Sequence, residues 1–321
     1  MVRVLILFLF VSATSWACDP CALYHASRLQ DKQDNSWSVS VEQQTTDYER
    51  TSTAGKYSQK SGEAVDTFST TQVAIGYDLS ERFGVQLNLP FIYREATSFD
   101  NYRSDQESDS GLGDIILSSN YTLYSYREVQ GLTLIVSALA GLKLPTGDTG
   151  TLEELEQNQS EAEQSKLARH HPVATASGGR VLTFGTGSYD YIGGVNLYAR
   201  HSRWLGLAGV QYILRTEGDY NYEFADDLIF DVGPGYYFWL DDDVSVASRI
   251  VLTGELKAKD HSDGELVAGS DYSNLYLGPE FLATFGSSIL RVGLDFRMTD
   301  DEAESVVMPD TRLRAGLMWR F

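Results

Sequence analysis

The chain is poor in the residues that define several protein classes. It has 2 cysteines and 7 prolines in 321 residues, too few cysteines to frame a fold with disulfides. No apolar run reaches the ~20 residues that a spanning helix needs. Lys and Arg number 25 against 45 Asp and Glu, a formal charge of -20, the wrong balance for meeting nucleic-acid phosphates. Catalytic groupings are missing too: there is no Ser-His-Asp set, no carboxylate pair spaced for acid–base work and no phosphate loop. "GLGD" at 111–114 lacks the βαβ unit of a dinucleotide fingerprint. The expectation is a protein that is not an enzyme and carries no cofactor.

What the chain does have is 28 glycines, 19 tyrosines and a 42% hydrophobic content, the composition of a β-rich chain with aromatic girdles. The opening "MVRVLILFLFVSATSWACDPC" pairs a basic start at Arg3 with an apolar run from Val4 to Val11, and small residues precede Cys18. It reads as a secretory signal peptide over 1–17, followed by a periplasmic segment over 18–35. Within that segment Cys18, Cys21 and His25 admit three readings. They are a local disulfide, favoured by an oxidising compartment, a metal or redox contact with a periplasmic partner, or lipidation of Cys18.

From residue 36 onward, amphipathic alternation recurs. "FGVQLNLPFIY" sets Phe83, Val85, Leu87, Leu89 and Phe91 against Gly84, Gln86, Asn88 and Pro90. Period two with one apolar and one polar face means a strand between two environments. Strands are expected at 36–49, 65–79, 82–95, 111–124, 131–144, 185–199, 203–216, 226–240, 243–258, 272–285, 288–299 and 310–321. Many exceed the five or six residues usual in soluble sheets. Short turns ("SER", "SYREVQ", "RHS", "DDD", "GSS") alternate with long loops at 50–64, 96–110, 145–184, 217–225, 259–271 and 300–309. That pattern predicts an all-β transmembrane antiparallel up-and-down barrel of about twelve strands spanning 36–321, in the outer membrane of a Gram-negative bacterium, with both termini periplasmic.

If the apolar alternate faces lipid, the other alternate lines the lumen. Glu42, Asp78, Asp114, Asp190 and Asp231 then form an acidic arc. Arg249, Lys257, Arg291, Arg297, Arg312 and Arg314 form a basic one, with Glu255, Glu280 and Asp295 among them. Two readings follow: a transverse field that orients polar solutes, or interior charges that neutralise one another as ion pairs. The 145–184 loop carries a capping-box start, Thr151 with Glu154. It is either a short helix folded into the mouth or a solvated loop. Its adjacent His170 and His171 are a weak metal signal.

"GLGDIILSSNYTLY", then "GLKLPTGD", then "GTGSYDYIGG" resemble, in that order, the outer-membrane barrels of the transporter family named for the MetA pathway of phenol degradation. The resemblance runs loosely from Val65 to Phe321 and places family motifs at Gly111, Gly113, Asp114, Pro145, Thr146, Gly147 and Asp148. It implies passage of small solutes, apolar or aromatic compounds among them. The alternative is a scaffold barrel that docks a periplasmic redox protein through the CxxC segment, since "CDPCALYH" looks like the N-termini of barrels that sheath multihaem cytochromes. The closing "RLRAGLMWRF" sets Leu313, Ala315, Leu317, Trp319 and Phe321 against Arg312, Arg314, Gly316, Met318 and Arg320. Its terminal Phe321 resembles the signal read by the barrel-assembly machinery.

Overall fold

The computed structural model describes residues 35–50, 65–100, 103–128, 131–150, 183–267, 270–298 and 307–321. The wall strands are β1 (Ser36–Arg50), β2 (Val65–Asp78), β3 (Phe83–Asp100), β4 (Arg103–Leu112), β5 (Ile115–Arg127), β6 (Leu132–Leu144), β7 (Asp190–His201) and β8 (Trp204–Leu214). They continue, past a short β9 (Tyr222–Glu223), with β10 (Asp227–Leu240) and β11 (Val244–Lys257). After the two-residue strands β12 (His261–Ser262) and β13 (Glu265–Leu266), β14 (Tyr272–Phe285), β15 (Ser288–Arg297) and β16 (Val307–Arg320) complete the wall. β4 and β5 pair in succession with the same edge of β3, so they are one strand broken at Gly113–Asp114. The wall is therefore a closed twelve-stranded antiparallel barrel, sealed where β1 pairs with β16 and β2 with β3. Closure is what lipid requires, because each unpaired backbone group in hydrocarbon costs several kcal/mol and a closed barrel has no free edge.

The two faces are inverted relative to a soluble protein. The exposed alternate carries Val41, Ile75, Leu117, Val195, Val210, Val232, Ile250 and Val292, while the buried alternate carries Gln44, Asn88, Asn120, Asn196, Gln211, Thr253 and Arg312. Aromatic rings ring both ends of the outer face. Trp37 packs on Tyr77 at 4.7 Å and Trp204 on Tyr236 at 5.1 Å near the short turns, and Tyr189, Tyr191, Tyr212 and Phe296 stand exposed near the long loops. Gln43 of β1 is an exception on the outer alternate, hydrogen-bonded to Ser69 and Thr71 of β2. Among the described residues, no helix is long and apolar enough to cross a membrane.

Four differences from the expected elements have physical reasons. The 96–110 segment is a β-hairpin rather than a loop, with Thr97 paired to Gln106. Its "RSDQESDS" gives neither alternate to an apolar face, so the period-two signal is absent. β7 starts at Asp190, because 184–188, with Phe184, Thr186 and Ser188 buried, turns inward instead of extending. The two loops after β8 and β11 pair with each other through β9, β12 and β13 in a small separate sheet. The interior is also not uniformly polar. Ile135 and Leu139 of β6, Ile192 and Tyr198 of β7, Leu205, Leu207 and Ile213 of β8, and Ile229 and Tyr237 of β10 form a buried apolar cluster on the inward alternate. On β6 the inward alternate mixes Ile135 and Leu139 with Thr133, Ser137 and Lys143, so apolar side chains share the lumen face with polar ones.

Prolines sit where the ladder tolerates a missing donor. Gly233 and Pro234 pair with β8 but fall in the gap of the β10–β11 register, which passes from Val232↔Leu252 to Gly235↔Arg249. Gly278 and Pro279 fall in the corresponding gap between β14 and β15, from Leu277↔Phe296 to Glu280↔Gly293.

Candidate functional site

The three sequence motifs are far apart in the chain, and the barrel brings them to one place at the long-loop end of the lumen. The carboxylate of Asp114, at the β4–β5 break, is the centre. Its Oδ1 accepts hydrogen bonds from the backbone N–H of Thr146 (3.0 Å) and Gly147 (2.9 Å). Its Oδ2 accepts from the N–H (2.9 Å) and hydroxyl (3.0 Å) of Thr186. Lys143 of β6 reaches the same Oδ2 at 3.2 Å and donates to the Thr186 hydroxyl at 2.6 Å.

The motif glycines serve close approach. A Cβ on Gly111 would lie 2.9 Å from the Phe184 ring, and one on Gly147 would lie 2.7 Å from the Gly185 backbone. Neither has a positive φ, so the requirement is space rather than backbone freedom. Gly187, at φ +68, does need left-handed backbone, and a Cβ there would meet Asp219 at 2.5 Å. Pro145 follows the end of β6. Asp148 accepts from Gly150 N–H at 2.8 Å, and its carbonyl accepts from Gly185 N–H, also at 2.8 Å.

From this centre an ion-pair chain runs along the inner wall over successive strands: Lys143 to Asp190, Asp190 to Arg215 (3.0 Å), and Arg215 to Asp227 (2.5 Å). All are at most 6% exposed. Ser188 also donates to Asp190 at 2.8 Å. The loop sheet makes a third cluster, in which Asp260 accepts from Tyr222 (2.8 Å) and the Ala225 N–H (2.8 Å) and pairs with Lys257 (2.7 Å). Burial, reinforced by the Asp260 charge, pushes the Tyr222 phenol well above its ordinary range.

Deeper in the lumen, the expected acidic and basic arcs meet as pairs. Arg249 bonds Glu280 (2.6 Å) and Asp231 (3.3 Å), and Arg312 bonds Glu255 (2.7 Å) with its guanidinium over the Tyr276 ring at 4.0 Å. Arg314 bonds Asp295 (2.8 Å), while Arg291 bridges Glu42 and Glu280. Inward glycines make room for these long side chains: a Cβ on Gly235 would lie 2.7 Å from that of Arg249, and one on Gly209 would lie 2.8 Å from Asp231. These pairs set opposite charges against one another on the inner face. Arg297 stands opposite Tyr276 in register. Asp78 lies apart, at the short-turn end, beside a polar cavity shared with Ser38, Gln86, Asn120 and Arg320.

Lys143, Thr186, Arg215, Asp227 and Asp260 escaped the sequence reading. Lys143 and Arg215 were detectable, because each continues the inward alternate of its strand (Ser137, Leu139, Gly141, Lys143; Gly209, Gln211, Ile213, Arg215). Cys18, Cys21, His25, His170, His171 and the 152–167 run lie outside the described residues. Among the described residues, no cluster of three or more His, Cys, Asp or Glu side chains is placed to hold a metal ion.

No family model and no curated protein matches the chain. Among solved structures, it is similar to an outer membrane channel from Pseudomonas putida F1. The TM-score is 0.60 at 15% identity, over 95% of this chain and 100% of that one. The toluene transporter TodX of P. putida (TM-score 0.36, 12% identity, 96% and 95% covered) and LpxR from Salmonella typhimurium (0.41, 10%, 88% and 99%) are more distant. Those two scores are too low to carry an argument. The likeness is one of fold: the barrel matches Gram-negative outer-membrane proteins.

Proposed function

We propose that this chain is an outer-membrane channel or transporter for small solutes, with its short turns toward the periplasm and its long loops outside. The observation that carries the reading is a closed barrel with an apolar exterior and a polar, ion-paired interior, crossed at its mouth by inward loop segments. A passive path through such an interior needs no cofactor, but it does need the loops at Asp114 to give way. Apolar or aromatic solutes are the class we favour. The inward cluster of Ile135, Leu139, Ile192, Leu207 and Ile229 offers them a dry wall, and the motif resemblance points the same way. The test is planar-bilayer conductance together with solute uptake into liposomes. Uptake of neutral aromatic solutes above the rate of empty vesicles supports the reading, and neither conductance nor uptake would sink it.

A further inference from the structure

The surroundings of Asp114 have the form of an oxyanion cradle. Three backbone N–H groups, one hydroxyl and one ammonium converge within 2.9–3.2 Å on the two oxygens of a single carboxylate that is 6% exposed. The donors come from three parts of the chain: the end of β6, the turn after it, and the segment entering β7. Other ties between them are the pairing of Lys143 with Asp190 in the β6–β7 ladder, the Gly185 N–H to Asp148 carbonyl bond, and the reach of Lys143 and Thr183 across them. Charge-assisted bonds to backbone donors are about twice as strong as neutral ones. One carboxylate therefore gathers the turn after β6 and the segment entering β7 at the long-loop end of the lumen.

We infer that this cradle is a carboxylate-binding site whose resident ligand is the protein's own Asp114, and that it works as the latch of the mouth. Segments 145–150 and 183–189 stay folded inward while a carboxylate occupies it and part when it is empty. A free monocarboxylate is the chemical class that fits, since it presents the same two oxygens to the same five donors. Lys143 keeps the emptied cradle positive, and its second partner Asp190 keeps that ammonium in place.

The inference rests on the channel reading only for its effect on transport, so the experiment has two readouts. Amide exchange at Thr146, Gly147 and Thr186 is measured in the full-length protein in detergent, for wild type and Asp114→Ala. Barrel integrity is checked by heat-modifiable migration. Loss of the carboxylate is expected to raise exchange at all three amides by about ten- to a hundredfold, the effect of removing charged hydrogen bonds. Sodium acetate or formate restores protection, and sodium chloride at equal ionic strength does not. Unchanged exchange in Asp114→Ala, or raised exchange that acetate leaves untouched, overturns the site.

Should Asp114→Ala fail to fold, Asp114→Asn keeps the shape. Its NH2 can take only one of the two oxygen positions, so it is expected to expose either Thr186 or the Thr146 and Gly147 pair, and to spare the other side. Equal protection on both sides would overturn the assignment. In bilayers, Asp114→Ala should conduct more than wild type and fall back in acetate. If acetate restores amide protection while no variant conducts, the cradle stands and the channel reading fails.

Discussion

Trp37 and Phe321 exchange backbone hydrogen bonds, the N–H of Trp37 to the Phe321 carbonyl at 3.3 Å and the N–H of Phe321 to the Trp37 carbonyl at 2.9 Å. The last residue of the chain thus seals the final strand against the first. Deleting Phe321 removes both bonds and an aromatic ring that is 76% exposed at the barrel rim. The deletion variant should accumulate as unassembled periplasmic chain, while protein that does assemble transports normally. Membrane fractionation checks this; wild-type amounts in the outer membrane would refute it.

Arg314 and Asp295 sit on adjoining strands with side chains 5% and 1% exposed. Arg314→Met leaves a buried carboxylate without its guanidinium and should destabilise the barrel by about 3–5 kcal/mol. Adding Asp295→Leu should recover much of that loss, since removing both charges removes the desolvation cost. The half-exposed pair Arg94–Asp109, at 3.7 Å, should contribute about 0–1 kcal/mol. Urea unfolding in detergent orders these variants.

Val195 and Gln211 test inside against outside on neighbouring strands. Val195 is 43% exposed on β7, and Gln211 of β8 is fully buried with no partner for its amide atoms among the described residues. Val195→Arg should cost about 2–4 kcal/mol in a bilayer. Gln211→Met should be neutral or stabilise by about 1 kcal/mol, because an unsatisfied buried amide is removed. Comparable losses from both, in folding titrations into lipid vesicles, would refute the facing assigned to these strands.

Tyr222 donates to Asp260 within the loop sheet, and Tyr222→Phe should cost this sheet about 1–3 kcal/mol. The phenol is held protonated by burial and the nearby carboxylate, above its ordinary value of 10.0. In the unfolded segment it ionises at that ordinary value. The stability it supplies is therefore complete below pH 10 and declines as the solution becomes more alkaline. Protection of the amides of residues 260–267, taken against the intrinsic base-catalysed exchange rate, should fall above that pH in wild type and stay level in Tyr222→Phe.

Alternation along "FGVQLNLPFIY" and "ILRVGLDFRM", together with strand length and the alternation of short turns with long loops, was enough to indicate the barrel, because each strand separates lipid from lumen and every second residue must match one of them. The same logic placed Arg249, Arg291, Arg312 and Arg314 on one alternate, and all four are buried there. It failed at β4, whose sequence is polar on both alternates and so offers no contrast between them. Pairing was beyond it altogether. Glu42 meets Arg291 across 249 residues, and Asp114 meets Thr186 across 72. Which carboxylate finds which cation depends on strand register and on closure, and those come from the whole wall folding at once. The sequence by itself determined a two-faced wall with charges on its inner side. Only the tertiary structure decided that these charges satisfy one another, and that Asp114 gathers the loop segments over the mouth, because contacts of that range exist only once the barrel is closed.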